Sequence, residues 1–159
     1  MEFKNLVRAF SDYCETEELK ITDNVCTAFE IDDIRIVFLH ETVRDLVFII
    51  GEIGHCEENQ KQSVCELLLK ANYQKLGSDI GTMSLNPETD CFEMIVSLPL
   101  KDLNADSFIT CFENTLQSIK TWRQIISTYS SNTKNSGNKQ TGENKIDIND
   151  GESLTGMMV

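Results

Sequence analysis

Apolar residues first recur with a helical period. Phe3, Leu6, Val7, Phe10 and Cys14 fall at i, i+3, i+4, i+7 and i+11, which predicts an amphipathic helix over residues 2–16. Over residues 24–54 the period changes to two. Val25, Phe29 and Ile31 alternate with Cys26, Ala28 and Glu30. Asp32-Asp33 is a candidate tight turn without the usual glycine. Ile34, Ile36 and Phe38 then alternate with Arg35, Val37 and Leu39, and Leu46-Val47-Phe48-Ile49-Ile50 is apolar on both faces. The second and third strands therefore ask for cover on two sides.

The helical period returns over residues 58–75. Glu57 and Glu58 suit a helix start and Gly77 follows the end. Val64, Leu67, Leu68 and Ala71 make one stripe, with Cys65, Leu69 and Asn72 as its shoulder. This face is wider than one core contact needs, which fits either deep burial or a helix shared between core and subunit interface. Two strands follow at 80–86 and 91–100, joined by Pro87-Glu88-Thr89-Asp90. Phe108, Phe112, Leu116, Ile119, Trp122 and Ile126 then mark a long helix over 104–128, with Asn104 as candidate cap and Asp106 in the first turn. The order α-β-β-β-α-β-β-α predicts an α+β domain, a twisted antiparallel sheet with helices. The domain is placed at 1–128. Residues 129–159 lack apolar periodicity and are rich in polar residues and Gly, so they are expected to be a disordered tail.

Charge sharpens this picture. The 159 residues carry 14 Lys+Arg against 26 Asp+Glu, a net −12. The tail accounts for −1, leaving −11 on residues 1–128. Such acidity disfavours nucleic acid and anionic membrane surfaces. No apolar stretch is long enough to span a bilayer, and the N-terminus lacks a signal-peptide pattern. The six cysteines form no CxxC pair and read as reduced thiols.

Candidate chemistry is thin. There is no GxxxxGK[ST] and no GxGxxG; Gly51-Glu52-Ile53-Gly54 alone does not make a phosphate loop. His55-Cys56 could suggest a thiolate–imidazole pair, but neighbours on an extended chain point to opposite faces. The cysteine spacing supplies no zinc half-site. In the segment Asp147-Ile148-Asn149-Asp150-Gly151 the glycine puts Ile146 where a calcium loop needs its first Asp. No catalytic residue, metal ligand or cofactor is assigned, and the chain is read as a non-enzyme. The apolar surplus inside an acidic exterior points instead to a core plus at least one interface, suited to binding apolar polypeptide segments.

One ordered set of residues carries a family resemblance. Leu67-Leu68-Leu69-Lys70-Ala71-Asn72-Tyr73 is followed by Gly81, Leu85-Asn86-Pro87-Glu88-Thr89, Leu98-Pro99-Leu100, Leu103, Phe108 and Trp122-Arg123. This resembles the class I type III secretion chaperones, the Tir chaperone-like family. The motifs cover about 60 residues, and with the element order the likeness spans about residues 1–128. Cys91 departs from the glycine many relatives carry after the turn, and the tail is longer than the fold needs.

The resemblance implies an ATP-independent cytoplasmic homodimer of a Gram-negative bacterium, connected with virulence. It implies binding the N-terminal segment of one or more secreted effectors and keeping it extended and export-competent. It places dimer contacts on the second helix, here Val64, Leu68, Leu69 and Asn72. Client contacts fall on Phe3, Leu6, Val7 and Phe10 of the first helix and Ile34, Ile36 and Phe38 of the second strand, with Val37 and Leu39 replacing the strand set if the other face looks outward. For each of these the plain alternative is ordinary core, and Trp122 is read as a core anchor. The export ATPase is a candidate partner for the tail. Two rival functions remain at this point: a module on the same fold that sequesters a regulator, and, last, an enzyme using Cys56.

Overall fold

A computed structural model describes residues 2–74 and 81–136. The elements are α1 (Phe3–Tyr13), β1 (Ile21–Thr22), β2 (Val25–Cys26), β3 (Phe29–Ile31), β4 (Ile34–Glu41), β5 (Leu46–Gly54), α2 (Lys61–Gln74), β6 (Thr82–Leu85), β7 (Phe92–Pro99) and α3 (Ala105–Ser136). Short 3-10 turns at Glu58–Gln60 and Leu100–Asp102 lead into α2 and toward α3. The strands form one antiparallel sheet in the order β1-β2-β4-β5-β7-β6, with β3 also on β4. This is the expected α+β architecture.

The expected first strand is divided, and β1 was not foreseen. Val25 pairs with Leu39, whereas Phe29 pairs with Ile36. The register slips by one residue between the two pairs, as at a β-bulge. Each such slip exchanges the faces of a strand. Cys26, not Val25, therefore points inward: Cys26 is buried and its Sγ accepts from the Phe38 amide at 3.0 Å. Val25 stands on the opposite face from Phe29 and Ile31, a correction to the simple alternation.

Both two-residue hairpins near this bulge use paired left-handed residues. Asp32 and Asp33 have φ of 52° and 60° between Ile31 and Ile34, and Asp23 and Asn24 have 49° and 65° between Thr22 and Val25. These are the signs of a type I′ turn, which matches strand twist. Asp32 also pairs with Lys120 of α3 at 2.5 Å, tying the turn to the helix. Asp33→Gly, which leaves that ion pair in place, is expected to raise stability by about 0.5–1 kcal/mol. A thermal melt of the variant checks this.

α3 starts with the expected cap. The Ser107 amide donates to Asn104 Oδ1 at 2.9 Å, and the Asn104 amide donates to Ser107 Oγ at 3.0 Å, a reciprocal capping arrangement. The helix runs to Ser136, past the expected end near residue 128. The rest of the anticipated tail, 137–159, lies outside the described residues, as do Gly77 and the start of the strand expected from residue 80.

All three helices pack on one face of the sheet. That face carries Ile34, Ile36 and Phe38 of β4, Val47, Ile49 and Ile53 of β5, and Phe92, Met94 and Val96 of β7, all buried. Gly51 lets α3 approach: a Cβ there would stand 2.3 Å from Ile119 Cδ1. α1 is anchored by Phe10, whose ring lies 4.9 Å from Phe38, 5.2 Å from Phe29 and 4.7 Å from Phe112. α2 closes the far edge, where Val64, Leu68 and Met83 join the same core.

Candidate functional site

The face of the sheet away from the helices is the first unusual surface. Residues of opposite parity, Val37 and Leu39 of β4, Leu46, Phe48 and Ile50 of β5, and Ile95 of β7, form it. Val37, Ile50 and Ile95 stand in one cross-strand row, and Val25, Leu39 and Phe48 in another. These side chains are half-buried only, Val25 being 36% exposed. Among the described residues no helix covers them. The row is bounded on one side by Glu30, Arg35, Glu52 and Glu93, with Arg35 bonded to Glu52 at 3.3 Å. The cover that the apolar strands asked for is thus present on one side and missing on the other.

A second feature is a cavity of about 1050 Å³ between α1, β1 and the turn after β4. Phe3 and Val7 of α1, Leu19 and Ile21, and Leu100 supply its apolar lining, and His40 its polar wall. The His40 ring lies 5.5 Å from Phe3, and its Nε2 is 2.9 Å from Asp45 Oδ1. β1 flanks this cavity as an outer strand, paired on one side by β2. The outer side of β3 likewise has no described strand against it.

The third feature is the outer flank of α2. Leu69 is 66% and Tyr73 90% exposed, one turn apart. A smaller cavity of about 160 Å³ adjoins them, lined by Cys65, Leu68, Leu69, Met83, Leu85 and Phe92. Asn72 does something different. Its Nδ2 donates to the Met83 carbonyl at 2.8 Å, and its Oδ1 accepts from the Met83 amide at 2.9 Å. One side-chain amide thus satisfies both outward-facing backbone groups of Met83 as a neighbouring strand would.

The residues expected from sequence now divide. Phe3, Leu6, Val7, Phe10, Ile34, Ile36 and Phe38 are all core, at most 5% exposed; only Phe3 and Val7 also reach the floor of the large cavity. The reason is parity: the even positions of β4 face the helices, so Val37 and Leu39 hold the outward set. Val64 and Leu68 are likewise core, at 0% and 3%, and Asn72 is committed to β6. Leu69 alone of the four dimer candidates is a surface residue. Phe48, Ile50, Ile95 and Tyr73 were missed. For Phe48, Ile50 and Ile95 the signal was present as a second apolar alternation in β5 and β7, but alternation does not say which set is covered; Tyr73 had no such signal.

The thiols show no sign of activation. Burial pushes the Cys56 thiol up from its ordinary value, and neighbouring Cys65 and Asp90 add to this, opposite to what a nucleophilic thiolate needs. His55 places Nδ1 at 2.9 Å from the Asp90 carbonyl. Burial also raises Cys14, Cys26, Cys91 and Cys111, and all six cysteines are unpaired thiols. Among the described residues no group of three or more His, Cys, Asp or Glu could hold a metal, and no helix is long and apolar enough to cross a membrane.

Comparison with known proteins agrees with this geometry. The family described as Tir chaperone protein (CesT) matches residues 5–123. No curated protein sequence matches the chain. Several solved structures share the fold. The HopA1-SchA chaperone–effector complex aligns at 19% identity and TM-score 0.64, covering 77% of this chain and 93% of the other. The ExsC-ExsE complex aligns at 12% identity and TM-score 0.68, covering 79% and 97%. The Yersinia pestis type III secretion chaperone SycH, with a fragment of YscM2, aligns at 14% identity and TM-score 0.58, covering 76% and 99%.

Proposed function

Since this chain belongs to the Tir chaperone protein (CesT) family of type III secretion chaperones, we propose that it is a non-enzymatic, ATP-independent, cytoplasmic homodimer holding the N-terminal segment of a secreted effector in extended form. The observation that carries this reading is the uncovered apolar sheet face. A chain with net charge −12 keeps Val37, Leu39, Phe48, Ile50 and Ile95 together on a surface that its own described helices leave bare. An extended segment laid there buries apolar side chains, and one that continues past β1 or β3 gains main-chain hydrogen bonds at the sheet edge. The cavity beside Phe3 and His40 offers a pocket for a side chain of the same segment. The dimer forms on the outer flank of α2 around Leu69 and Tyr73, which leaves both sheets accessible.

The test is co-expression in the source bacterium, pull-down, and limited proteolysis of what is bound. Protection of an extended segment of a secreted protein supports the reading; capture of a transcriptional regulator alone replaces it with sequestration. Phe48→Glu and Ile50→Glu each place a charge on the open face without entering the core. Each is expected to weaken capture at least about tenfold, the cost of desolvating one unpaired charge, with the thermal midpoint unchanged. Undiminished capture by both variants moves the client elsewhere.

A further inference from the structure

The bare apolar face of the sheet ends in a charged row. Beside Val37, Ile50 and Ile95 stand Glu30 of β3, Arg35 of β4, Glu52 of β5 and Glu93 of β7, in that order across the strands. Glu52 and Glu93 are register partners on adjacent strands, so their Cβ atoms stand about 5 Å apart. Like charges set directly opposite are destabilising. Arg35 offsets part of this: its guanidinium lies 3.3 Å from Glu52 Oε1, on the side toward Glu30. Glu93 accepts from the neutral Asn86 amide at 2.8 Å and has no ion-pair partner among the described residues. The row holds three carboxylates against one guanidinium, and its uncompensated charge lies at the step from β5 to β7.

Spacing makes this a recognition pattern. Phe48, Ile50 and Glu52 follow one another on the outer face of β5, at steps of about 7 Å. An extended segment laid along β5 presents its own side chains to the sheet at the same step. Apolar side chains over Phe48 and Ile50 therefore bring the next one over Glu52 and Glu93, where a cation relieves the repulsion. A second copy of this chain suits the face poorly. It brings the same net −12, and a self-complementary contact about this row sets carboxylate against carboxylate.

Resting on the client-binding reading above, we propose that the outer sheet face selects extended segments of the pattern apolar-x-apolar-x-Lys/Arg, in either chain direction, with the cation between Glu52 and Glu93. Panning a phage-displayed library of random dodecapeptides against the full-length chain tests this. Lys and Arg at that step are expected about threefold above their frequency in the library, the discrimination of one modest ion pair. Glu93→Gln leaves the Arg35–Glu52 pair in place and is expected to return the cation frequency to that of the library, while apolar alternation is still selected. Glu66→Gln removes the same charge from α2, on the other side of the sheet, and is expected to keep the threefold preference. That contrast separates a site from the general pull of an acidic protein on basic peptides. Absent cation enrichment overturns the proposal, as does enrichment that survives Glu93→Gln or falls equally with Glu66→Gln. In each of these cases continued apolar selection leaves client binding standing. No selection of apolar peptides by the wild type overturns both.

Discussion

Phe10→Ala is expected to cost about 3–5 kcal/mol, the range for removing a buried aromatic ring. Phe10 is 1% exposed and sits among Phe29, Phe38, Phe108 and Phe112, with ring centroids between 4.7 and 6.5 Å. Its loss removes contacts to four rings at once, three of them edge-to-face, and leaves a cavity where α1, α3 and the sheet meet. Folded domains of this size have about 5–15 kcal/mol in total, so the variant sits near the limit of folding. A urea titration of wild type and variant measures the difference. A loss under about 1 kcal/mol would mean that α1 is held by something other than this ring cluster. The variant also bears on client binding: because Phe10 is core, capture per folded molecule should be unchanged even as the folded fraction falls.

Adjacent residues of α2 give the second large contrast. Leu69→Glu is expected to convert the proposed dimer to a folded monomer, whereas Leu68→Glu is expected to unfold the chain. Leu68 is 3% exposed against Met83 and Phe92, so a carboxylate there is buried and unpaired. Leu69 is 66% exposed beside Tyr73, so its charge is hydrated in the monomer and desolvated only when a second copy packs on it. Such a residue near the centre of an interface is commonly worth 2 kcal/mol or more, about thirtyfold in dissociation constant. Light scattering across a dilution series, paired with circular dichroism, separates the two effects. A Leu69→Glu protein that stays dimeric moves the interface off this flank.

Periodicity was a good guide to elements and a poor one to faces. The stripe Phe3-Leu6-Val7-Phe10 is a covered helix face, and Asn104 caps α3 as its side chain suggests. The strands were harder. In β4 both Ile34-Ile36-Phe38 and Val37-Leu39 are apolar, and only the position of α3 over Gly51 decides which set is inside. The bulge between Cys26 and Phe29 has no sequence signature, yet it reverses Val25 relative to Phe29. Asn72 read as an interface residue because it stands on the shoulder of an apolar helix. Its partner within the chain, the backbone of Met83, belongs to a strand that follows in sequence, and backbone partners leave no trace in side-chain pattern.

That last contact also decides how the sheet can grow. A sheet with two bare margins can pair margin to margin in a head-to-tail series, and such heterologous contacts propagate into fibres unless the geometry closes. Here the Asn72 amide occupies the β6 margin like a cap on a threaded rod. A strand arriving at β6 must first displace this bond at Met83, whereas β1 and β3 have no described strand on their outer sides, so addition there is favoured. For a molecule whose proposed task is to hold sticky, extended polypeptide, an obstructed margin opposite a receptive one disfavours propagation of the sheet from copy to copy.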